Sequence, residues 1–248
     1  MCRMVAAPEG IPGYALLDAF VRMARGENVE TEKNAPLGCL RHGDGWGAVL
    51  LDSGRARSGR ACWDDPGFRS LRNERVQLLH ARLASRGAVD ASNAHPFTAS
   101  LRGETWYFSH NGTFLDEPED GTAATDSERF FRRMAVGLER GEDPVTAFEF
   151  AVARLERITA ANSLLLGPTG LWAFCVWADP KSAKYYTLSR AETPYGPVVS
   201  SEPLADLATD WVPIENGTAL VFTARADGGT STRTTRLRLP ASLKPAGV

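Results

Sequence analysis

The chain has 248 residues, 28 Lys and Arg against 30 Asp and Glu, and is 43% hydrophobic and 23% charged. That length can bury a core without disulfides or a metal, and the ordinary hydrophobic and charged fractions exclude a disordered or collagen-like chain. A formal charge of −2 gives no global electrostatic drive toward nucleic acid or an anionic membrane.

In chain order, CRMVA at 2–6 predicts a short strand at the start. YALLDAFVRMAR follows Gly13 with apolar residues at 16, 17, 20, 21 and 24, the period of an amphipathic helix, and Gly26 ends it. The polar, glycine-rich stretch 26–45 predicts a loop, AVLL at 48–51 a buried strand, and the residues near 59–63 a further strand. VQLLHARL at 76–83 and TWYFSH at 105–110 read as strands with the turn-rich SNAHPF between them. The acidic segment 115–126 predicts a loop, and Ser127 or Asp126 is placed to cap a helix, ERFFRRMAVGLERG, that ends at Gly141. A second helix is expected over about 144–158, opened by Pro144. Strands are expected at 163–167, 171–177, 183–189, 197–201, 218–224 and 233–238, with PTG at 168–170 turning the first into the second.

No repeat, low-complexity tract or linker divides this pattern, so one α+β layered domain over 1–248 is expected. The longest apolar run, LWAFCVWA at 171–178, falls far short of the roughly 20 residues that span a bilayer. Arg3, Glu9, Asp18 and Arg22 interrupt the region where a signal peptide would be apolar, so a soluble cytoplasmic protein is expected. Cys39, Cys62 and Cys175 lack CxxC or finger-like histidine spacing and read as small apolar filler, so no metal site is expected. The alternating Trp172, Phe174 and Trp177 read as sheet packing. Neither a phosphate loop nor a GxGxxG fingerprint occurs, so no cofactor is expected.

Six short motifs carry the chemistry, and each alone has a plain structural explanation. HGDGWG at 42–47 could be a glycine-rich turn, HAR at 80–82 a strand end, and the Asn-Gly of SHNG at 109–112 a hairpin. TDSE at 125–128 could be a helix start matched to its dipole. Their order is more specific. Cys2, then HGDGWG, HARLAS at 80–85, NAHPF at 93–97, HNGT at 110–113 and TDSE resemble the class II glutamine amidotransferase domain. The likeness extends more loosely through VVSSEPL at 198–204 and WVPIENGTALVF at 211–222. There it is similar to the small stand-alone members, such as the γ-glutamyl amidohydrolase of ergothioneine biosynthesis.

The resemblance implies a four-layer αββα N-terminal-nucleophile hydrolase sandwich of two mainly antiparallel sheets. It implies Cys2 as nucleophile, activated by its own α-amine once Met1 is removed; an α-amine near pKa 7.7–8.0 suits a general base. It implies Asn111 and Gly112 as the oxyanion donors, Arg82 and Asp126 as partners of the substrate α-carboxylate and α-ammonium, and Ser85 and His95 as their neighbours in the pocket. RLAS stands where the family pattern often has RxAT, and Arg86 stands where sugar-amidotransferase members have histidine. His42, His80 and His110 are expected as hydrogen-bonded structural residues, and Trp46 as a pocket wall or core residue.

The implied activity is cleavage of a γ-glutamyl amide, glutamine or a conjugate, through a glutamyl thioester. A glutaminase serving a separate synthase, a free-standing amidohydrolase and a non-catalytic glutamine-binding domain are the competing forms. No nucleic-acid or membrane partner is expected.

Overall fold

The computed structural model describes residues 2–28, 40–116, 125–225 and 229–243. Cys39 and most of the predicted acidic loop lie outside them. The order is β1 (Cys2–Pro12), α1 (Gly13–Arg25), β2 (Trp46–Leu50), β3 (Gly54–Ser58), α2 (Pro66–Ser70), β4 (Arg75–Arg82), β5 (Phe97–Leu101) and β6 (Glu104–Phe114). It continues with α3 (Asp126–Glu139), α4 (Pro144–Val152), β7 (Ile158–Gly167), β8 (Gly170–Cys175), α5 (Ala183–Tyr186), β9 (Ser189–Thr193) and β10 (Gly196–Ser200). The short β11 (Val212–Pro213), β12 (Thr218–Ala224) and β13 (Thr230–Arg236) close the sequence of elements.

One sheet has the order β11-β9-β10-β1-β4-β2-β3, the other β13-β12-β8-β7-β6-β5. The neighbours pair antiparallel throughout. Alternation along the strands builds the layers, because successive side chains of a strand face opposite ways. Val5 and Ala7 pack with Leu16, Phe20 and Met23 of α1 on the outside of the first sheet. Met4 and Ala6 face inward, where Leu78 joins Leu164, Leu166, Ala173, Leu220 and Phe222 of the second sheet. On the far side of the second sheet, Phe108, Leu165, Trp172 and Phe174 meet Phe130, Met134 and Phe148 of α3 and α4. Three apolar interfaces therefore separate four layers, helix, sheet, sheet and helix, as the resemblance implies. Among the described residues, no helix is long and apolar enough to cross a membrane.

Most predicted elements stand near their expected places, and the 167–170 turn joins β7 to β8 with Gly167 opposite Gly170. Four expectations fail for local reasons. The strand near 59–63 is absent, because β3 has already run over 54–58 and the chain turns at Arg60, whose N–H donates to the Ser58 hydroxyl. The second central helix stops at Val152, since the N–H groups of Glu156 and Arg157 turn to the Asp116 carboxylate and β7 begins at Ile158. Residues 183–186 of the expected strand form α5, after a turn capped by Asp179 on the Lys181 N–H. Thr125, rather than Asp126 or Ser127, caps α3, its hydroxyl accepting from the Glu128 N–H.

The Phe148 ring stacks on Phe174 at 4.0 Å, within 1° of parallel, and is fully buried between α4 and the second sheet. Phe148→Ala is therefore expected to lower unfolding free energy by about 3–5 kcal/mol. Equilibrium urea denaturation measures it, and a loss under about 1 kcal/mol would mean that this interface does not hold the outer helices.

Candidate active site

Cys2 is the first residue of β1 and lies directly opposite Arg82, the last residue of β4. Its side chain has the inward parity of Met4 and Ala6, so a buried thiol stands at the open end of the space between the sheets. Sγ lies 4.0 Å from the Leu83 carbonyl oxygen. Behind it, the Met4 N–H donates to the Ser201 hydroxyl at 2.9 Å and the Ser201 N–H returns to the Met4 carbonyl at 2.8 Å. The SSEPL stretch thus fixes the start of β1.

The second sheet supplies the facing wall. The Asn-Gly pair is not a hairpin turn: β6 runs straight through it, with Asn111 opposite Asn162 and Gly112 opposite Ala161 on β7. Asn111 Oδ1 accepts from the nitrogen of Cys2 at 2.6 Å. Its Nδ2 is buried and has no hydrogen-bond partner. Gly112 has φ +151°, and a Cβ there would lie 1.9 Å from the Ala160 carbonyl oxygen, so no other residue fits.

The remaining predicted residues gather around these. Cys2, Arg82, Ser85, His95, Gly112 and Asp126 line one cavity of about 20 Å³, room for a single water. Arg82 donates to the carbonyls of Ala88 at 2.7 Å and Arg86 at 2.8 Å. Asp126 begins α3, and its Oδ2 accepts from the Phe114 N–H at 2.9 Å. Ser85 Oγ accepts from the Thr113 hydroxyl at 3.0 Å. His95 Nδ1 and His80 Nε2 are hydrogen-bonded at 3.0 Å.

The histidines are buried and held neutral. Burial pushes His80 down to about 3 from 6.5, and His110 down to about 4, where the Asp126 carboxylate opposes the shift. His42 and His95 are pushed well below the ordinary range by burial, then by the nearby Arg3 and His80 respectively. His42 bridges Tyr185 Oη at 2.9 Å and the Ala24 carbonyl; His110 bridges Ser127 Oγ at 2.8 Å and the Ala160 carbonyl. Trp46 is core, its Nε1 donating to Asp65 and its ring edge-on to Phe68. Burial raises the Cys62 and Cys175 thiols to about 12, which leaves both inert as nucleophiles.

Three contributors escape a reading of the sequence. Asp44 accepts from the Ala84 N–H at 2.8 Å and donates its own N–H to the Arg82 carbonyl, so the DGWG turn positions the end of β4. Gly47, the second residue of β2, lets the His95 carbonyl approach, since a Cβ would lie 2.0 Å from it. Asn93 donates to the Ala88 carbonyl that also receives Arg82. Asp44 and Gly47 sit in a motif that marks them, but nothing in the sequence says which backbone groups they meet.

A family model, "Glutamine amidotransferases class-II", matches residues 38–175, more than half of the chain, and the chain belongs to that family. YafJ of Escherichia coli K12 is 34% identical over an alignment of 105 positions that covers 36% of this chain and 40% of YafJ. A Haemophilus influenzae Rd relative is 31% identical over an alignment of 112 positions that covers 40% of this chain and 38% of that protein. Each match thus takes in about two fifths of the relative's length. Among solved structures, a glutamine aminotransferase class-II domain protein from Silicibacter pomeroyi superposes with TM-score 0.58 at 20% identity over 97% of this chain and all of that one. The allosteric regulatory enzyme of purine biosynthesis superposes with TM-score 0.64 at 14% identity, over 95% of this chain and 48% of that one. These two likenesses establish the N-terminal-nucleophile hydrolase fold.

A histidine whose folded pKa is depressed stabilises the protein above its unfolded pKa, and that contribution is lost as pH falls toward the folded value. For His80 and His110 the window runs from 6.5 to about 3 and about 4. Between pH 6.5 and pH 5 each is expected to cost the fold on the order of 2 kcal/mol, read as a falling urea midpoint. His110→Gln should flatten that slope. A midpoint unchanged across the window would contradict the burial of neutral rings.

Proposed function

We propose that this class II amidotransferase cleaves a γ-glutamyl amide, glutamine or a γ-glutamyl conjugate, through a glutamyl thioester on Cys2. The carrying observation is the orientation of Asn111, whose Oδ1 holds the nitrogen of Cys2 while its buried Nδ2 has no partner. An unsatisfied buried donor costs free energy that an arriving oxyanion recovers.

In this reading the whole chain acts as one amidotransferase domain, and removal of Met1 frees the Cys2 α-amine, which takes the thiol proton. The thiolate attacks the γ-carbonyl carbon, and the oxygen gains negative charge between Asn111 Nδ2 and the Gly112 N–H. The proton passes to the departing nitrogen, which leaves as ammonia or an amine. Water then adds to the thioester, glutamate leaves, and the thiol regains its proton. Arg82 pairs with the α-carboxylate and Asp126 with the α-ammonium, while Ser85 and His95 line the space beside them. A stand-alone amidohydrolase of the ergothioneine type and a glutaminase working for a separate synthase share this half of the chemistry. Turnover by the isolated chain supports the first, and stimulation by a second protein the second.

Cys2→Ala should abolish release of labelled glutamate with the fold intact, and Asn111→Ala should slow it by about 10²–10³. A Cys2→Ala protein retaining a tenth of wild-type turnover removes the thiol from the mechanism. For the clamp, calorimetry compares glutamate with its α-amide. Arg82→Ala should weaken glutamate by about 2–5 kcal/mol and the α-amide far less; equal losses would make Arg82 a purely structural residue.

A further inference from the structure

Two buried histidines stand beside Cys2 with no part in the thioester chemistry that accounts for both. Cys2 pairs with Arg82 and Met4 with His80 in the β1–β4 register, so Cys2 and His80 share the inward face two residues apart. His95 reaches the same place from the turn before β5, its ring centroid 4.3 Å from that of His80. Sγ of Cys2 and one ring nitrogen of each histidine all lie within 4.8 Å of one another.

In a tetrahedral zinc site, Zn–S bonds of about 2.3 Å and Zn–N bonds of about 2.0 Å place the ligand atoms roughly 3.3–3.8 Å apart. The cluster is within about 1 Å of that closure. Its donors are one thiolate and two imidazoles, a set that favours zinc, cobalt and copper over the oxygen-seeking magnesium and calcium. His95 Nε2 is buried without a partner, so this ring has an unsatisfied position in the present arrangement. The spacing 2, 80 and 95 carries no metal-binding signature; strand pairing alone assembles it.

We propose that Cys2, His80 and His95 form a three-ligand site for a thiophilic divalent cation of the zinc class, whose occupation holds the thiol out of reaction. Binding stands on the geometry; the inhibitory consequence rests on the reading of Cys2 as nucleophile. On binding, the thiol gives its proton to solvent and the six-coordinate aqua ion releases five waters as it takes Sγ and two imidazole nitrogens. A water keeps the fourth position and no electron is transferred; both rings bind as neutral imidazoles, so the His80–His95 hydrogen bond breaks and the ring that donated it moves its proton to the nitrogen away from the ion. The sulfur lone pair is then committed to the metal. The site is a reversible brake.

The test uses the full chain, stripped of metal by a chelator in the presence of a phosphine reductant and then titrated with Co²⁺ and Zn²⁺. One equivalent of Co²⁺ should give a near-ultraviolet thiolate charge-transfer band and tetrahedral visible bands, both removed by one equivalent of Zn²⁺. The thiolate band should vanish in Cys2→Ser, and His95→Ala should weaken binding at least about 100-fold, measured against a chromophoric chelator. Carbamidomethylation mapped to Cys2 by mass spectrometry removes the same ligand from the wild-type fold and should also erase the band. Labelled-glutamine turnover, followed in parallel, should fall with Zn²⁺ and return with chelator. No thiolate band at saturating Co²⁺, or a band that survives loss of the Cys2 thiol, overturns the site. A band in a protein with no γ-glutamyl turnover keeps the site and overturns the proposed activity; turnover without a band does the reverse.

Discussion

One hydrogen bond joins the two sheets at the head of the sandwich, from the nitrogen of Cys2 to Asn111 Oδ1. The first partner opens a strand and the second sits deep in another, so the bond forms only if the sheets are held at the right separation. The inner core sets that separation: Met4, Ala6 and Leu78 of one sheet against Leu164, Ala173 and Leu220 of the other. A carboxamide is planar, and fixing its oxygen also fixes where Nδ2 points. Positioning the start of β1 and aiming the unpaired donor are therefore one event.

Behind that bond lies a second polar layer that the apolar pattern does not reveal. Arg3 forms a buried ion pair with Glu202, and its guanidinium lies over the Tyr185 ring at 4.1 Å. Tyr185 in turn hydrogen-bonds His42. Removing one member of such a pair leaves a buried charge uncompensated, which costs more than the pair itself contributes. The residue next to Cys2 is thereby anchored through SSEPL, a segment almost 200 positions away in the sequence (Glu202 against Arg3).

Much of this was legible before any coordinates. The helix at 14–25 and the strands β4, β8 and β12 follow from periodicity, while a common site for Cys2, Arg82, Ser85, His95, Asn111, Gly112 and Asp126 was implied by the family resemblance that the motif order carries. In places local chemistry carries two meanings. Asn-Gly favours a hairpin, yet Gly112 is required by the Ala160 carbonyl pressed against it from β7, a contact no local window contains. AKYYTLS alternates well enough for a strand, but capping at Asp179 starts a helical turn that buries Tyr185 and Tyr186 instead. Asp44 and Asn93 act on backbone groups, and a sequence does not mark which carbonyl a side chain will meet.

Arg82 is already occupied. Its two terminal nitrogens donate to the carbonyls of Arg86 and Ala88, so the protein's own backbone serves as a stand-in ligand. Under the proposed reading, a carboxylate that reaches Arg82 meets a guanidinium whose orientation is already set by two of its five N–H donors. The same side chain therefore also holds the backbone of residues 86–88, so its part in the fold and its proposed part in binding fall to separate N–H groups.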